Sequence, residues 1–411
     1  MTRRHRPPAS GRSWPRTLSA FNVPDFPQLF FCGVIWNFAR WMNLFLVLFL
    51  ASQLTDSPLL LQIIGALLFA PFLVGGVLGG VVSDRFDRRL TAVGYLAILT
   101  PITAVVAALI LTDSIRFWML YPYSVVAGSS WVVDLTTRRA LVADIVGPEH
   151  VTNAFSLEAW SSSLGGAVGA LAGGAVVGLI GMGEAYAAIV VLLVVPIALL
   201  LSVESPPRTH TTDGSWLEDL RASLALPFRL PPLLSVLGVT LVMNMFFFPH
   251  FSLVPEFAED LGVSAVATGL LAAASMIGSM IATLVIASLH IPRRGLTYVC
   301  GALFSLALLP VFALAGTYPV ALAALLAGGV GLGAFAAMQF TLVVTVAGPA
   351  GHGRALGLMT TVIGVVPFGS LLLGVVAEAI GIGPAIAWSA AAGIAVLLLW
   401  TLRWPASIRI S

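Results

Sequence analysis

Apolar runs long enough to cross a bilayer recur along nearly the whole chain. About 20 apolar residues in a helix span the roughly 30 Å of hydrocarbon in a membrane. Twelve such runs are present, near residues 28–50, 58–82, 90–112, 116–137, 153–180, 185–203, 231–255, 263–289, 295–314, 318–346, 355–379 and 384–403. The sequence therefore predicts an all-α integral membrane protein with twelve transmembrane helices.

Composition excludes a soluble fold. Hydrophobic residues make up 59% of the chain and charged residues only 9%, against about 25% charged residues in soluble domains. The longest polar connection, residues 204–230, is too short for a catalytic domain, and no cluster of metal ligands or catalytic nucleophiles is visible. We therefore expect neither an enzyme nor a protein with a cofactor or a metal.

The arginines predict the orientation of the chain. Arginine supplies every basic residue, and all but two arginines fall in the tails and loops that are inside if both termini are cytoplasmic. The exceptions are Arg116, in an outside loop, and Arg40, within a span; Arg138 and Arg139 are placed in an inside loop. This asymmetry predicts cytoplasmic termini.

The arginines are spread along the chain rather than gathered on one face, so we expect no nucleic-acid partner. The exclusive use of arginine indicates a GC-rich bacterial genome, so we expect a bacterial cytoplasmic membrane.

The polar connection divides the chain into two related parts. The stretch "RRAL" follows the fourth span, and "GRAL" follows the tenth. We predict two six-helix bundles with a site between them, which is an arrangement of secondary transporters. The predicted parts are a tail (1–27), the first bundle (28–203), the central loop (204–230), the second bundle (231–404) and a short tail (405–411).

A charged motif, "GGVVSDRFDRR", lies between the second and third spans. Its residues Gly80, Asp84, Arg85, Arg88 and Arg89 match the pattern found at this place in the major facilitator superfamily, which the chain resembles over nearly all of its length past residue 25. In this chain an aspartate replaces the second glycine of the pattern, and "DRFDRR" is similar to the branch that contains enterobactin and macrolide exporters. The resemblance implies a two-bundle fold that works by alternating access.

We expect this motif to form a cytoplasmic latch. Asp84 is predicted to face the N-terminus of the eleventh span, where a carboxylate is favourable. Arg88 is predicted to pair with Asp134 or Asp144 at the end of the fourth span. The alternative is a loop that only fixes topology.

Glycines in the fifth span form a second motif, "GGAVGALAGG". Gly165, Gly169, Gly173 and Gly174 resemble the antiporter signature of the same superfamily, with Ala170 where proline is usual. The resemblance favours export, whereas the alternative is close helix packing by small residues.

Arg40 lies near the middle of the first span, where an arginine costs at least about 2.5 kcal/mol. It shares a helical face with Trp36, Asn37 and Asn43. We predict that this face lines a cavity where Arg40 attracts a polar or anionic substrate group; the alternative is a structural ion pair with Asp134 or Glu158.

Glu158 is the predicted proton-coupling residue, because a carboxylate removed from water binds protons more readily. The alternative is an ordinary stabilised carboxylate near the start of a helix. Tyr123 and Trp131 from the fourth span and Asn244, Met245 and Gln339 from the second bundle complete the predicted cavity.

Such a lining suits a bulky amphipathic molecule. We therefore predict a monomeric, proton-coupled exporter of a drug, a macrolide or a siderophore. The alternatives are an uptake transporter or facilitator for a small metabolite, and a non-transporting membrane sensor.

Overall fold

The computed structural model describes residues 16–75, 87–203, 225–288, 291–347 and 352–410. Within these ranges, eleven helices are long and apolar enough to cross a membrane. A further, shorter helix completes the series α1 (Phe26–Ser52), α2 (Pro58–Gly75), α3 (Arg88–Leu111), α4 (Leu120–Val133), α5 (Glu149–Leu179), α6 (Met182–Ser202), α7 (Pro231–Asp260), α8 (Ala265–Ile286), α9 (Arg294–Ala313), α10 (Tyr318–Ala347), α11 (Ala355–Ile380) and α12 (Ile382–Arg403).

The fourth span is helical but interrupted. After α4, residues Asp134–Arg138 form a π-helical turn, and α-helix resumes at Arg139. Gly147 then breaks the helix with a backbone φ of 69°, and α5 follows. The predicted end of this span at residue 137 was therefore too early, because the π turn continues the helix. With this helix included, the twelve-helix prediction is confirmed.

Helix starts follow local capping chemistry. The Ser57 hydroxyl accepts a hydrogen bond from the backbone N–H of Leu60 at 3.3 Å, with Pro58 next to it at the first helical position. The Asp87 carboxylate accepts one from the backbone N–H of Leu90 at 2.9 Å, which begins α3. These side chains satisfy donors that have no partner within the helix.

The first half (α1–α6) and the second half (α7–α12) meet along two helix pairs, α2 with α11 and α5 with α8. Glycine allows the second pair to approach closely. A Cβ atom at Gly174 would lie 2.5 Å from the carbonyl oxygen of Ala265 and 2.8 Å from the Cα of Gly269. Small residues are the usual means of bringing helices together in lipid.

Polar contacts join the two halves at one end of the molecule. We call this end the far face, because it lies opposite the end where α1 begins and α12 finishes. Between described residues, every hydrogen bond across the halves lies toward the far face: Gln53 to Glu259 (3.2 Å), the Ser57 hydroxyl and the Leu59 N–H to Glu378 (3.0 and 3.3 Å), and Gln62 to the Pro249 carbonyl (2.9 Å).

Candidate functional site

A fully buried arginine holds two carboxylates inside the first half. The side chain of Arg138 has no exposed surface. Its Nε donates to Oδ1 of Asp134 at 2.5 Å, while Nη1 and Nη2 donate to the two oxygens of Glu158 at 3.0 and 2.8 Å. We call these three residues the buried triad.

The local fold explains how the buried triad assembles. Asp134 and Arg138 are four residues apart, the spacing at which side chains meet on one helical face, and α5 brings Glu158 to the same point. On α1, Gly33 leaves room: a Cβ atom there would lie 2.7 Å from both Nη1 of Arg138 and Oε1 of Glu158. The Tyr95 hydroxyl on α3 donates to Oδ1 of Asp134 at 3.0 Å.

The charges of the buried triad do not balance. Two carboxylates and one guanidinium sum to one negative charge when all three are ionised. Bidentate, charge-assisted hydrogen bonds offset part of the large cost of removing these ions from water. When all three groups are ionised, the buried triad therefore carries one net negative charge of its own inside the protein.

Arg138 was placed in a loop by the sequence prediction, which the structure contradicts. The arginine belongs to a helix that continues past the predicted end of the span, so neighbouring helices enclose it. One signal was present in the sequence: Asp134 and Arg138 have the spacing of a helical ion pair.

Among the residues that the structure describes, Arg40 has no carboxylate partner. Its Nη2 donates to the Ser162 hydroxyl at 3.1 Å, and its Cζ lies 4.3 Å from the ring centre of Trp131 and 5.4 Å from that of Trp41. Only 8% of the residue is exposed, and its Nε has no hydrogen-bond partner. Asp134 and Glu158, the two predicted partners, are both bound to Arg138 instead.

Two indole rings flank Arg40, and further aromatic side chains extend from one of them to α2. The ring centres of Trp41 and Trp131 are 5.5 Å apart, and Trp131 packs against Phe69 and Phe72 of α2 at 5.4 and 5.7 Å. We call Trp41, Trp131, Phe69 and Phe72 the aromatic cluster. A Cβ atom at Gly166 on α5 would lie 3.4 Å from both Trp41 and Met276 of α8. Trp41 therefore lies close to the boundary between the halves.

Three predicted cavity residues lie inside the first half. Tyr123 donates a hydrogen bond to Oδ1 of Asn43, and both line a cavity of about 20 Å³ that Trp36 and Arg40 also border. This volume is enough for one water molecule. Nearby, Nδ2 of Asn37 donates to the Ser161 hydroxyl at 3.1 Å. The structure therefore places Trp36, Asn43 and Tyr123 among α1, α3, α4 and α6.

In the second half, the predicted polar residues form a neutral network. Nδ2 of Asn244 donates to the Thr240 carbonyl at 2.8 Å, and Nε2 of Gln339 donates to the Thr240 hydroxyl at 3.1 Å. That hydroxyl also hydrogen-bonds with the Tyr298 hydroxyl at 2.7 Å. Met245 contributes its carbonyl oxygen to a close contact with Gly369 of α11.

The structure describes part of the predicted latch. Nη1 of Arg88 lies 2.5 Å from Oδ2 of Asp144, and Nη1 of Arg89 donates to the Val203 carbonyl at 2.7 Å. Of the two acids considered for Arg88, Asp144 is the one it pairs with. Gly80, Asp84 and Arg85 lie outside the described residues.

The predicted glycine motif of the fifth span packs on two sides. At Gly165, Gly169 and Gly173, an added Cβ atom would lie 2.8 Å from residues of α1. Gly174 faces α8 of the second half, as described above. The motif therefore brings α5 close to one helix of each half.

Ligands for a metal do not gather in the described part of the chain, where no three His, Cys, Asp or Glu side chains are placed to hold an ion. The ionic groups that the described site offers are therefore those of arginines and carboxylates.

Two six-helix halves, with ionised groups buried between membrane-spanning helices, define a membrane transporter of the two-bundle class. The chain belongs to the major facilitator superfamily, because residues 29–370 match the family model of that description. No curated protein matches the chain significantly.

Solved structures with the same fold are transporters of diverse substrates. A D-xylose–proton symporter matches with a TM-score of 0.70 and 16% identity, over 95% of this chain and 98% of that chain. A nucleoside transporter matches with a TM-score of 0.71 and 14% identity, over 92% and 99%. A bacterial homologue of the human lysosomal transporter Spinster, inward-facing and unoccupied, matches with a TM-score of 0.68 and 15% identity, over 94% and 96%. At these identities the likeness extends to the fold alone.

Proposed function

We propose that this transporter exports amphipathic organic compounds, such as a drug, a macrolide or a siderophore, in exchange for protons. The buried triad is the observation that carries this proposal. Its two carboxylates share one guanidinium in a site without exposed surface, so gain of a proton changes the charge of the protein interior. Such a change in a buried ion pair is energetically large and is suited to driving a conformational step.

Glu158 is the proposed proton carrier. It binds Arg138 through both oxygens, but it lies on a different helix from Asp134 and Arg138. Protonation would weaken the bidentate pair that joins the π turn after α4 to α5, while Asp134 would still hold Arg138 within that turn. The two helices would then be free to shift relative to each other.

A continuous helical path links the buried triad to the proposed latch. The π turn ends at Arg138, and the α-helical segment that follows it carries Asp144, six residues after Arg138. Asp144 binds Arg88 at the start of α3. A movement of this segment would therefore alter both ion pairs. We propose that proton binding at Glu158 changes the stability of the latch in this way, as alternating access requires.

The aromatic cluster supports an amphipathic substrate. Indole and phenyl rings offer apolar area, while Arg40 beside them offers charge-assisted hydrogen bonds. We propose that the substrate binds between this surface and the second half. We further propose cytoplasmic termini, a bacterial cytoplasmic membrane and a monomeric protein; the far face, where the halves are joined, is then the external side.

Flux measurements in proteoliposomes test this proposal. Vesicles are loaded with lipophilic dyes, macrolides or catecholate siderophores, and a pH gradient is imposed in each direction. We expect the compound to move in the direction opposite to the flow of protons, and the pH inside the vesicles to change as it does so. Co-directional movement of compound and protons would instead establish a symporter, and movement that ignores the gradient would establish a facilitator; either result contradicts proton-coupled export.

A further inference from the structure

Unpartnered hydrogen-bond donors gather around Arg40 on α1. Within four residues of it, the described buried polar atoms without a partner are Nε1 of Trp36, Oδ1 of Asn37, Nε of Arg40 and Nε1 of Trp41. Three of these four atoms are donors. A buried donor without an acceptor costs about 1–3 kcal/mol, and more when it is charged. A ligand that satisfies this region must therefore supply acceptors.

The balance of buried charge favours the same kind of ligand. Arg40 and Arg139 lie near the buried triad, so three arginines share this region with two carboxylates, Asp134 and Glu158. Arg138 takes both carboxylates. Arg139 has a buried Nε without a partner, and the guanidinium of Arg40 donates to a hydroxyl and lies over two indole rings in the described part of the chain. Two of the three arginines are therefore left without a described counter-charge.

We infer that the substrate carries an anionic group, such as a carboxylate, that pairs with Arg40 while its apolar body packs on the aromatic cluster. This inference rests on the proposed function and names the substrate class of the same site. Planar carboxylates match the two-pronged donor geometry of a guanidinium. An isolated arginine in a membrane interior is costly unless it meets such a partner.

The surroundings favour an organic anion over an inorganic one. Trp41 and Trp131 lie next to Arg40, and Phe69 and Phe72 extend this apolar surface by packing on Trp131. Met276 of the second half and Trp41 lie near the same point of α5, Gly166. Rings and a thioether attract an apolar body, whereas chloride or phosphate would gain nothing from them. The site thus combines one positive charge with a large apolar surface.

Three dansyl compounds of similar size test the inference on the purified full-length protein in detergent. Dansylglycine carries a carboxylate, dansylglycinamide is its neutral counterpart, and dansylcadaverine is a cation. Binding is measured by fluorescence energy transfer from tryptophan to the dansyl group. We expect dansylglycine to bind at least about tenfold more tightly than the amide, a difference of about 1.4 kcal/mol.

Variants assign the preference to one side chain. Arg40→Gln should remove the preference for dansylglycine over its amide. Arg40→Lys should retain part of it, because lysine keeps the positive charge but cannot donate the two parallel hydrogen bonds of a guanidinium. Arg116→Gln is the matched control, since it makes the same change in a loop at the far face and should leave the preference intact. Gel filtration and a thermal midpoint close to wild type show that each variant is folded.

Each other outcome overturns the inference. Equal binding of the amide or the cation, absence of binding by all three probes, or an undiminished preference in Arg40→Gln would each do so. Displacement of dansylglycine by millimolar chloride would show a site for an inorganic anion only.

If dansylglycine binds through Arg40 but no pH gradient moves it, proton-coupled export fails while the anion site stands. If gradient-driven export is observed and Arg40→Gln leaves it unchanged, the export proposal stands and the anion site fails.

Discussion

The two halves share a six-helix plan but differ in the chemistry of their interiors. In the first half, the described interior contains Arg40, Asp134, Arg138 and Glu158. In the second half, the four acidic residues lie toward the far face and the arginines of its helices lie at the opposite end. Its described buried polar groups are hydroxyls and amides, among them the network of Thr240, Tyr298 and Gln339, together with the fully buried imidazole of His250.

This difference separates two tasks. Neutral hydrogen bonds inside membrane proteins contribute roughly 0.6 kcal/mol each, and their strength does not depend on protonation. Buried ion pairs involve much larger opposing energies and change sharply when one partner gains a proton. We therefore expect the second half to act as a structural partner and the first half to contain the groups that change state.

The largest expected effect is that of Arg138→Gln, because it leaves Asp134 and Glu158 buried without their shared cation. Removal of one partner from a buried ion pair costs about 3–5 kcal/mol. We expect a marked fall in the thermal midpoint in detergent, measured by a thiol-independent fluorescence assay. The combined variant Asp134→Asn, Arg138→Gln and Glu158→Gln should recover most of the loss. A single variant as stable as wild type would show that the interior is not organised by charge.

A pair of tyrosines compares the halves directly. Tyr95→Phe removes a hydrogen bond to the Asp134 carboxylate, worth about 1.5–3 kcal/mol because the acceptor is charged. Tyr298→Phe removes hydrogen bonds to the Thr240 hydroxyl and the Val236 carbonyl, each worth about 0.5–1.5 kcal/mol. Chemical denaturation in mixed micelles should therefore show losses of similar size, about 1.5–3 kcal/mol for Tyr95→Phe and about 1–3 kcal/mol for Tyr298→Phe. Only Tyr95→Phe should also alter proton coupling, because its hydrogen bond goes to the buried triad. Altered coupling in Tyr298→Phe, or unaltered coupling in Tyr95→Phe, would remove the distinction between the halves.

Two glycine variants test the two halves by steric means. In Gly33→Ala the added methyl group would lie 2.7 Å from the Arg138–Glu158 pair, and overpacking of this kind costs about 1–3 kcal/mol. Gly328→Ala in α10 meets its nearest neighbour at 3.5 Å, which is ordinary contact. We expect loss of gradient-driven flux in Gly33→Ala and near wild-type flux in Gly328→Ala. Equal flux in both variants would argue against a role for the buried triad.

The smallest effect is expected for Gln339→Met. The change removes one neutral hydrogen bond to Thr240 and keeps the volume, so we expect about 1 kcal/mol or less in stability. The ratio of protons to substrate moved should stay the same. A changed ratio, measured by parallel pH and substrate recordings, would place part of the coupling in the second half.

The sequence predicts the helices well and the buried triad poorly. Hydropathy identifies spans because a bilayer imposes one length on every helix, and Arg40 stands out because it interrupts an apolar run. Arg138 was missed because it lies at the end of a run, where an arginine in a loop and an enclosed arginine look alike. Its burial depends on Gly33 of α1 and Glu158 of α5, which are distant in sequence.

Helical periodicity also leaves the direction of a face undetermined. Trp36, Asn37, Arg40 and Asn43 share one side of α1, as expected, but Asn43 and Trp36 border a cavity among α3, α4 and α6. Trp41, just outside that arc, lies nearer to α8 of the second half. The polar side of a helix can thus face its own bundle or the opposite bundle. Which of the two it faces is decided by the packing of the neighbouring helices.

Two kinds of flux in Glu158→Gln proteoliposomes, measured with a compound that the wild-type protein moves, test whether proton coupling depends on the buried triad. Glu184→Gln, at the start of α6 on the far face, is the matched control. We predict that Glu158→Gln exchanges labelled for unlabelled compound at near the wild-type rate but no longer responds to a pH gradient, while the control keeps both activities. Gradient-driven accumulation that persists in Glu158→Gln would contradict the assignment of proton coupling to the buried triad.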